Sequence, residues 1–234
     1  VWVNNAFAGI FAPFTEITPD DFRWVTEVTY LGYVFGTRAA LRHMLPRDRG
    51  TIVQVGSALA YRGIPLQSAY CGAKHAIQGL GAPPTPFRQW GRIAALRVAA
   101  LAQRCPYDDG AAARAVVHAA AHGRRREYWV GGSTAATLIA NAVVPGVLDR
   151  YMARTAFEAQ QDEGAHGATG NLWSPADGPH GHDFGAHGRF AEESRPVSRP
   201  EWMSLRRGQV GKALAVGAGV LAARRLTRLV HRRA

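Results

Sequence analysis

Residues 50–77, GTIVQVGSALAYRGIPLQSAYCGAKHAI, constrain this chain more than any other stretch. Thr51 to Val55 is a short β-branched run bounded by Gly50 and by Gly56-Ser57, the pattern of a strand buried in a parallel sheet. A strand that stops at Ser57 sets that hydroxyl at the rim of the sheet, where open α/β folds take their ligands. Tyr70 follows, then Lys74 four residues on, in a segment without internal proline that can be helical. Residues four apart share a helix face, with Cβ atoms about 5–6 Å apart, so phenol and ammonium look into the same space.

That geometry has a chemical use. An ammonium within about 4–6 Å favours the phenolate of a tyrosine, whose ordinary pKa is about 10. Lys74 is therefore expected to draw Tyr70 toward a range in which it exchanges a proton with an alcohol or carbonyl. Ser57, aimed at the same oxygen, would stabilise the charge that develops there. A Y-x-x-x-K pattern alone is common, and the competing reading is an aromatic core residue beside a solvated lysine. Composition separates the two: of 28 basic residues only Lys74 and Lys212 are lysines. Lys74 is not a casual surface charge in such a chain, and a compact ammonium fits where a guanidinium fork would not.

Ser57, Tyr70 and Lys74 at this spacing, after GTIVQVGS, resemble the active-site segment of the short-chain dehydrogenases/reductases. VWVNNAFAG at the N-terminus looks like that family's fourth strand with its Asn-Asn-Ala-Gly signature, altered here to Asn4-Asn5-Ala6-Phe7. DDFRWVTEVTYLGYVFGTRAALRHM resembles the long helix that follows. The resemblance covers residues 1–80. It implies an α/β fold, a partial Rossmann-like doubly wound parallel sheet from the fourth strand onward, and hydride transfer between NAD or NADP and a small alcohol or ketone. By the same resemblance Tyr70 is the acid/base, Ser57 polarises the substrate oxygen, and Lys74 and Tyr70 meet the nicotinamide ribose. Asn5 and Ala6 would lie along the cofactor near its adenosine ribose. The position that carries an Asn in the family's proton relay is Thr29 here. Thr29 can donate and accept but lacks an amide's second donor; the alternative is a buried threonine bonding back to its own helix. Phe7 stands where the family has a glycine, with Gly9 nearby to supply flexibility.

Taken in order, the first strand, a helix from about Asp20 to Leu45 and the strand at Thr51 make a β-α-β unit. Thr18-Pro19-Asp20-Asp21 is its helix entry, with a capping hydroxyl, an early proline and two acids at the positive end. No G-x-G-x-x-G occurs anywhere, so the pyrophosphate turn of a dinucleotide fold is missing and the choice between NAD and NADP is left open. With Val as its first residue and a strand at once, the chain reads as truncated at its N-terminus.

After Gly79 the pattern changes. Gly79, Gly81, Pro83, Pro84 and Pro86 interrupt the helix, and FRQWGRIAALRVAALAQR reads as an Ala-rich helical pattern rather than the strand the family would place there. A helix, a basic turn and a short strand are expected over Ala111–Gly131, and a second helical pattern over Thr134–Ala156, broken near Pro145 and Gly146. The reading divides the chain into a Rossmann-like domain (1–157), a disordered Gly/His/Pro-rich linker (158–204) and a basic C-terminal helix (205–234). His180, His182, His187 and Asp183 have nothing around them that would preorganise a metal site, and no metal is expected.

The formal charge of +11 raises a competing class, a nucleic-acid or membrane binder. The charge is scattered and heaviest in the tail, without the interleaved aromatics of a stacking platform, so no nucleic-acid partner is expected. The tail's apolar run, Ala213 to Ala223, falls short of the ~20 residues of a span. Peripheral contact with an anionic membrane through its arginines competes with a solvated terminal helix. Cys71 and Cys105 have no metal or redox spacing, which together with the lack of a signal-peptide pattern points to the cytoplasm. A homo-oligomer packed through the long helices is implied by the resemblance, and a catalytically inactive descendant is the alternative to an enzyme.

Overall fold

The computed structural model describes residues 1–80, 93–99, 109–122 and 127–157, together with Leu172, Trp173, Trp202, Arg206, Gly208 and Gln209; for 93–99 and 109–111 it describes the backbone alone. Four strands, β1 (Trp2–Asn4), β2 (Gly50–Val55), β3 (Ile93–Ala99) and β4 (Glu127–Trp129), lie in that order in one parallel sheet. Trp2 pairs with Ile52, Gly50 with Ile93 and Arg97 with Glu127. Helices α1 (Pro19–Thr26) and α2 (Gly32–Met44) connect β1 to β2, α3 (Ser68–Leu80) follows β2, and α4 (Asp109–Ala121) precedes β4. Beyond β4 come α5 (Gly132–Val143) and α6 (Pro145–Thr155), separated at Val144, where the expected break before Pro145 and Gly146 falls.

The middle of β2 shows why helices cover both faces. Successive side chains of a strand point to opposite sides. Ile52 packs against Ala40 and Met44 of α2, whereas Val53 packs against Ala115 and Ala119 of α4 with Tyr128 and Val130. Both β2 residues are fully buried, each contributing about 1.5–3 kcal/mol relative to exposure. The sheet is thus doubly wound around the strand that ends at Ser57.

The long helix starts where its sequence announces it. Thr18 Oγ1 accepts from the Asp21 amide at 3.1 Å while Asp21 Oδ2 accepts from the Thr18 amide at 3.3 Å, a reciprocal capping box that satisfies two otherwise unpaired donors. The helix is not uniform: Glu27–Leu31 forms a π-helical turn between α1 and α2. Such a turn inserts a residue and re-aims the helix face, and here it carries Thr29 and leads to Tyr33.

The segment read as helical over 87–104 is corrected: Ile93–Ala99 is β3, paired in parallel with β2 over six residues. Alanine favours a helix in isolation, but two open neighbouring strands offer a complete ladder of backbone hydrogen bonds, and pairing overrides weak local preference. No helix among the described residues is long and apolar enough to cross a membrane. The basic triplet Arg124–Arg126, the histidine cluster at 180–187 and nearly all of the 205–234 tail lie outside the described residues. Within the 158–204 stretch, Trp173 stacks on Trp24 at 5.2 Å and its indole donates to Asp21, so this point of the chain is held on α1.

Candidate active site

β2 ends by delivering Ser57, in extended conformation, into a 3-10 turn over Ala58–Ala60. The Leu59 amide donates to Ser57 Oγ at 3.1 Å, which fixes the rotamer and leaves the hydroxyl proton free to point elsewhere. Ser57 also hydrogen-bonds the side chain of Tyr70, in the first turn of α3, and this hydrogen bond favours the phenolate. One helical turn on, Lys74 Nζ donates to the Val55 carbonyl at 2.8 Å and to Tyr33 Oη at 3.2 Å. Tyr33 Oη donates in turn to the same carbonyl at 3.0 Å. The ammonium sits 5.7 Å from the Tyr70 ring, 5.0 Å from that of Tyr33 and 5.5 Å from that of Phe7. Ser57, Tyr70 and Lys74 therefore converge at the carboxyl end of β2, all three almost wholly buried.

Burial dominates the electrostatics. Desolvation pushes the Tyr70 phenol up to about 12, against the opposing pull of the Ser57 hydrogen bond. The same cause brings Lys74 down to about 8. The expectation that Lys74 lowers Tyr70 is not met in this geometry: its hydrogen bonds run to Val55 and Tyr33, and the loss of water outweighs its charge.

Thr29 lies apart from this group. Its Oγ1 accepts from the Ala8 amide and donates to the Ala8 carbonyl, both at 2.9 Å, so it neither bonds back to its own helix nor faces Lys74. It anchors the loop after β1. Asn5 and Ala6 are exposed at the carboxyl end of β1, on the rim shared with Ser57. Phe7, half exposed, sets its ring edge-on to Tyr70 at 5.6 Å, and Gly9 lies beside the same ring.

Two features escaped sequence reading. Tyr33, 2% exposed, joins the site through its hydroxyl. Asn4 donates to Gln54 Oε1 at 2.8 Å and Thr37 Oγ1 at 3.1 Å and accepts from Trp2 Nε1 at 2.7 Å, tying β1 to β2 and α2. A Gln inside an otherwise apolar buried strand is the signal that could have revealed the second, since a buried amide requires partners. A cleft of about 490 Å³ lies at the opposite ends of the strands, between Val1, Gly50 and His43, away from this chemistry.

Comparison with known proteins points the same way as this geometry. The short chain dehydrogenase family model matches residues 1–82. Over these residues, about a third of its length, the chain is similar to the short-chain dehydrogenases. The match takes in Ser57, Tyr70, Lys74 and Thr29 as well as the Asn5-Ala6 turn. An uncharacterized oxidoreductase of Bacillus subtilis, YxnA, is 28% identical over 185 residues, covering 69% of this chain and 52% of that protein. Human dehydrogenase/reductase SDR family member 7 is 37% identical over 79 residues, 34% of this chain and 23% of that protein. The chain thus spans about half the length of the first relative and about a quarter of the second. Among solved structures, a short-chain dehydrogenase from Streptomyces avermitilis aligns with a TM-score of 0.54 at 21% identity, over 68% of this chain and 70% of that one. One from Burkholderia cenocepacia, in complex with NADP, aligns with a TM-score of 0.54 at 22% identity, over 64% and 67%. At these identities the structural likeness is one of short-chain dehydrogenase fold.

Proposed function

We propose that this chain carries the catalytic part of an NAD(P)-dependent oxidoreductase acting on an alcohol or ketone. The observation that supports this best is the convergence of Ser57 and Lys74 on Tyr70 at the sheet rim. Tyr70 Oη gives a proton to the substrate oxygen in reduction and takes it back in oxidation, while Ser57 donates a hydrogen bond to that oxygen. With its pKa near 12 the unliganded phenol stays protonated at neutral pH, the state reduction needs.

The residues fit the nicotinamide end of the cofactor. An ammonium has three donors, and Lys74 spends two on Tyr33 and Val55, so one remains for a ribose hydroxyl. The bound nicotinamide would supply the hydride acceptor or donor. Asn5 and Ala6 lie exposed on the rim beside it, and Phe7, which covers Tyr70 and Lys74, has a solvent side toward which its ring can turn.

A second reading, a protein of this lineage without turnover, draws support from the burial of Ser57 and of Tyr70, whose ring meets that of Phe7. Fluorescence titration with NADH and NADPH, followed by reduction of a ketone panel by the wild type and Tyr70→Phe, separates the two. Binding with turnover that Tyr70→Phe abolishes carries the first reading. Binding without turnover carries the second, and turnover that survives in Tyr70→Phe refutes the role given to the phenol. Self-association through α1 and α2 and contact of the 205–234 tail with anionic membranes belong to the same proposal, tested by sedimentation and by vesicle flotation at two salt concentrations.

A further inference from the structure

Lys74 is the only charged side chain among the described residues that is fully buried, and α2 contributes the group that meets it. The hydrogen bonds form a closed triangle. Lys74 Nζ donates to Tyr33 Oη and to the Val55 carbonyl, and Tyr33 Oη donates its own hydrogen bond to that carbonyl. The Tyr33 ring face lies 5.0 Å from the ammonium, which adds a cation–π attraction. We propose that Tyr33 is a positioning residue that clamps Lys74 as a fixed cation beneath Tyr70, in place of a proton path leading away from the lysine.

Three observations lead there. Thr29, the residue in register with a relay, has its hydroxyl committed on both sides to Ala8. Tyr33 fills the space behind Lys74 and is 2% exposed. A carbonyl accepts a proton bond but has none to pass on, so the chain of donors from Lys74 stops at Val55. Protons consumed at Tyr70 must then arrive from its open side, past Phe7. The titratable groups that face Lys74 are the phenols of Tyr33 on α2 and Tyr70 on its own helix; β2 presents a carbonyl and the loop after β1 presents Phe7. Desolvation alone shifts its titration, without a carboxylate.

The inference rests on the oxidoreductase reading for its meaning but not for its test. Because the chain has only two lysines, protein grown with 13C,15N-lysine gives two Cε signals, and Lys212→Arg assigns them. A phenol oxygen that accepts from an ammonium stabilises the charged form, and removing it should lower the Lys74 pKa by about one unit, a tenfold change in its proton affinity. Tyr33→Phe, which keeps the ring, is expected to show that shift while the Lys212 signal titrates as before. An unchanged Lys74 pKa in a folded Tyr33→Phe protein overturns the clamp. Should that variant not fold, the wild type decides: at pH 6 a clamped ammonium shows a 1H–15N correlation with cross-relaxation to the Tyr33 ring, and its absence overturns the inference. Absence of hydride transfer in the wild type, with the titration shift in Tyr33→Phe intact, would instead refute the oxidoreductase reading and leave the clamp standing.

Discussion

Gly36 and Gly72 both sit inside helices, yet the structure assigns opposite signs to their replacement by alanine. In an exposed helix interior Gly→Ala stabilises by about 0.5–1 kcal/mol, through lost backbone freedom in the unfolded chain. A Cβ on Gly72 of α3 would meet nothing within 4 Å, so Gly72→Ala should realise that gain. A Cβ on Gly36 of α2 would run into Asn4 Oδ1 and lie 3.0 Å from Trp2 Nε1. Neither atom can step aside cheaply, since Asn4 is held by Gln54 and Thr37 and Trp2 is bonded to Asn4. Overpacking costs about 1–3 kcal/mol, and relief by withdrawing Asn4 leaves the buried Gln54 carbonyl unpaired at about 1–3 kcal/mol. Set against the helix-propensity gain, Gly36→Ala should lose about 2 kcal/mol, or roughly 4–8 °C of melting temperature in a chain of this size. Urea midpoints of the two variants, measured beside the wild type, give both signs at once. A Gly36→Ala protein as stable as the wild type or more so would refute the close approach of α2 to β1, and with it the placement of Tyr33.

Three further outcomes follow from the site. Thr29→Val removes one hydroxyl that serves both backbone groups of Ala8 and should cost about 1–3 kcal/mol, with faster hydrogen exchange at the Ala8 amide; unchanged exchange there counts against the anchor. Between pH 8 and 10 the unfolded chain keeps a lysine proton that buried Lys74, with its pKa near 8, has released. The unfolded state then binds more protons, so stability rises with pH; above pH 10 unfolded tyrosines lose protons that Tyr33 and Tyr70 retain, and it falls. Urea midpoints from pH 7 to 11 should show this maximum, Lys74→Met should flatten its rising limb, and a wild type whose stability declines from pH 8 to 10 would count against a buried ammonium. Phe7→Ala uncovers Tyr70 and should bring its phenol down from about 12 toward the ordinary value, read at 295 nm with Tyr70→Phe to assign the step; a step left in place means that Phe7 shields nothing.

What the sequence disclosed, and what it hid, divides along a physical line. Ser57, Tyr70 and Lys74 were legible because their spacing is local: a strand end, a turn and one helical repeat bring them together with little help from the rest of the chain. The Thr18–Asp21 capping box was legible for the same reason. β3 was not, because Ile93–Ala99 becomes a strand only through the two neighbours that pair with it, and no window of its own residues carries that information. Tyr33 was hidden by a subtler shift. Counted back along the sequence from Ser57, the relay position falls on Thr29, which sits inside the π-helical turn at Glu27–Leu31, where the helix face is re-aimed. Thr29 is turned to the Ala8 backbone, and Tyr33, one turn later, reaches Lys74. A residue-by-residue transfer of roles from a family pattern presumes that helical phase is kept. Here the hydroxyl that meets the buried ammonium comes from Tyr33, a position the pattern does not mark.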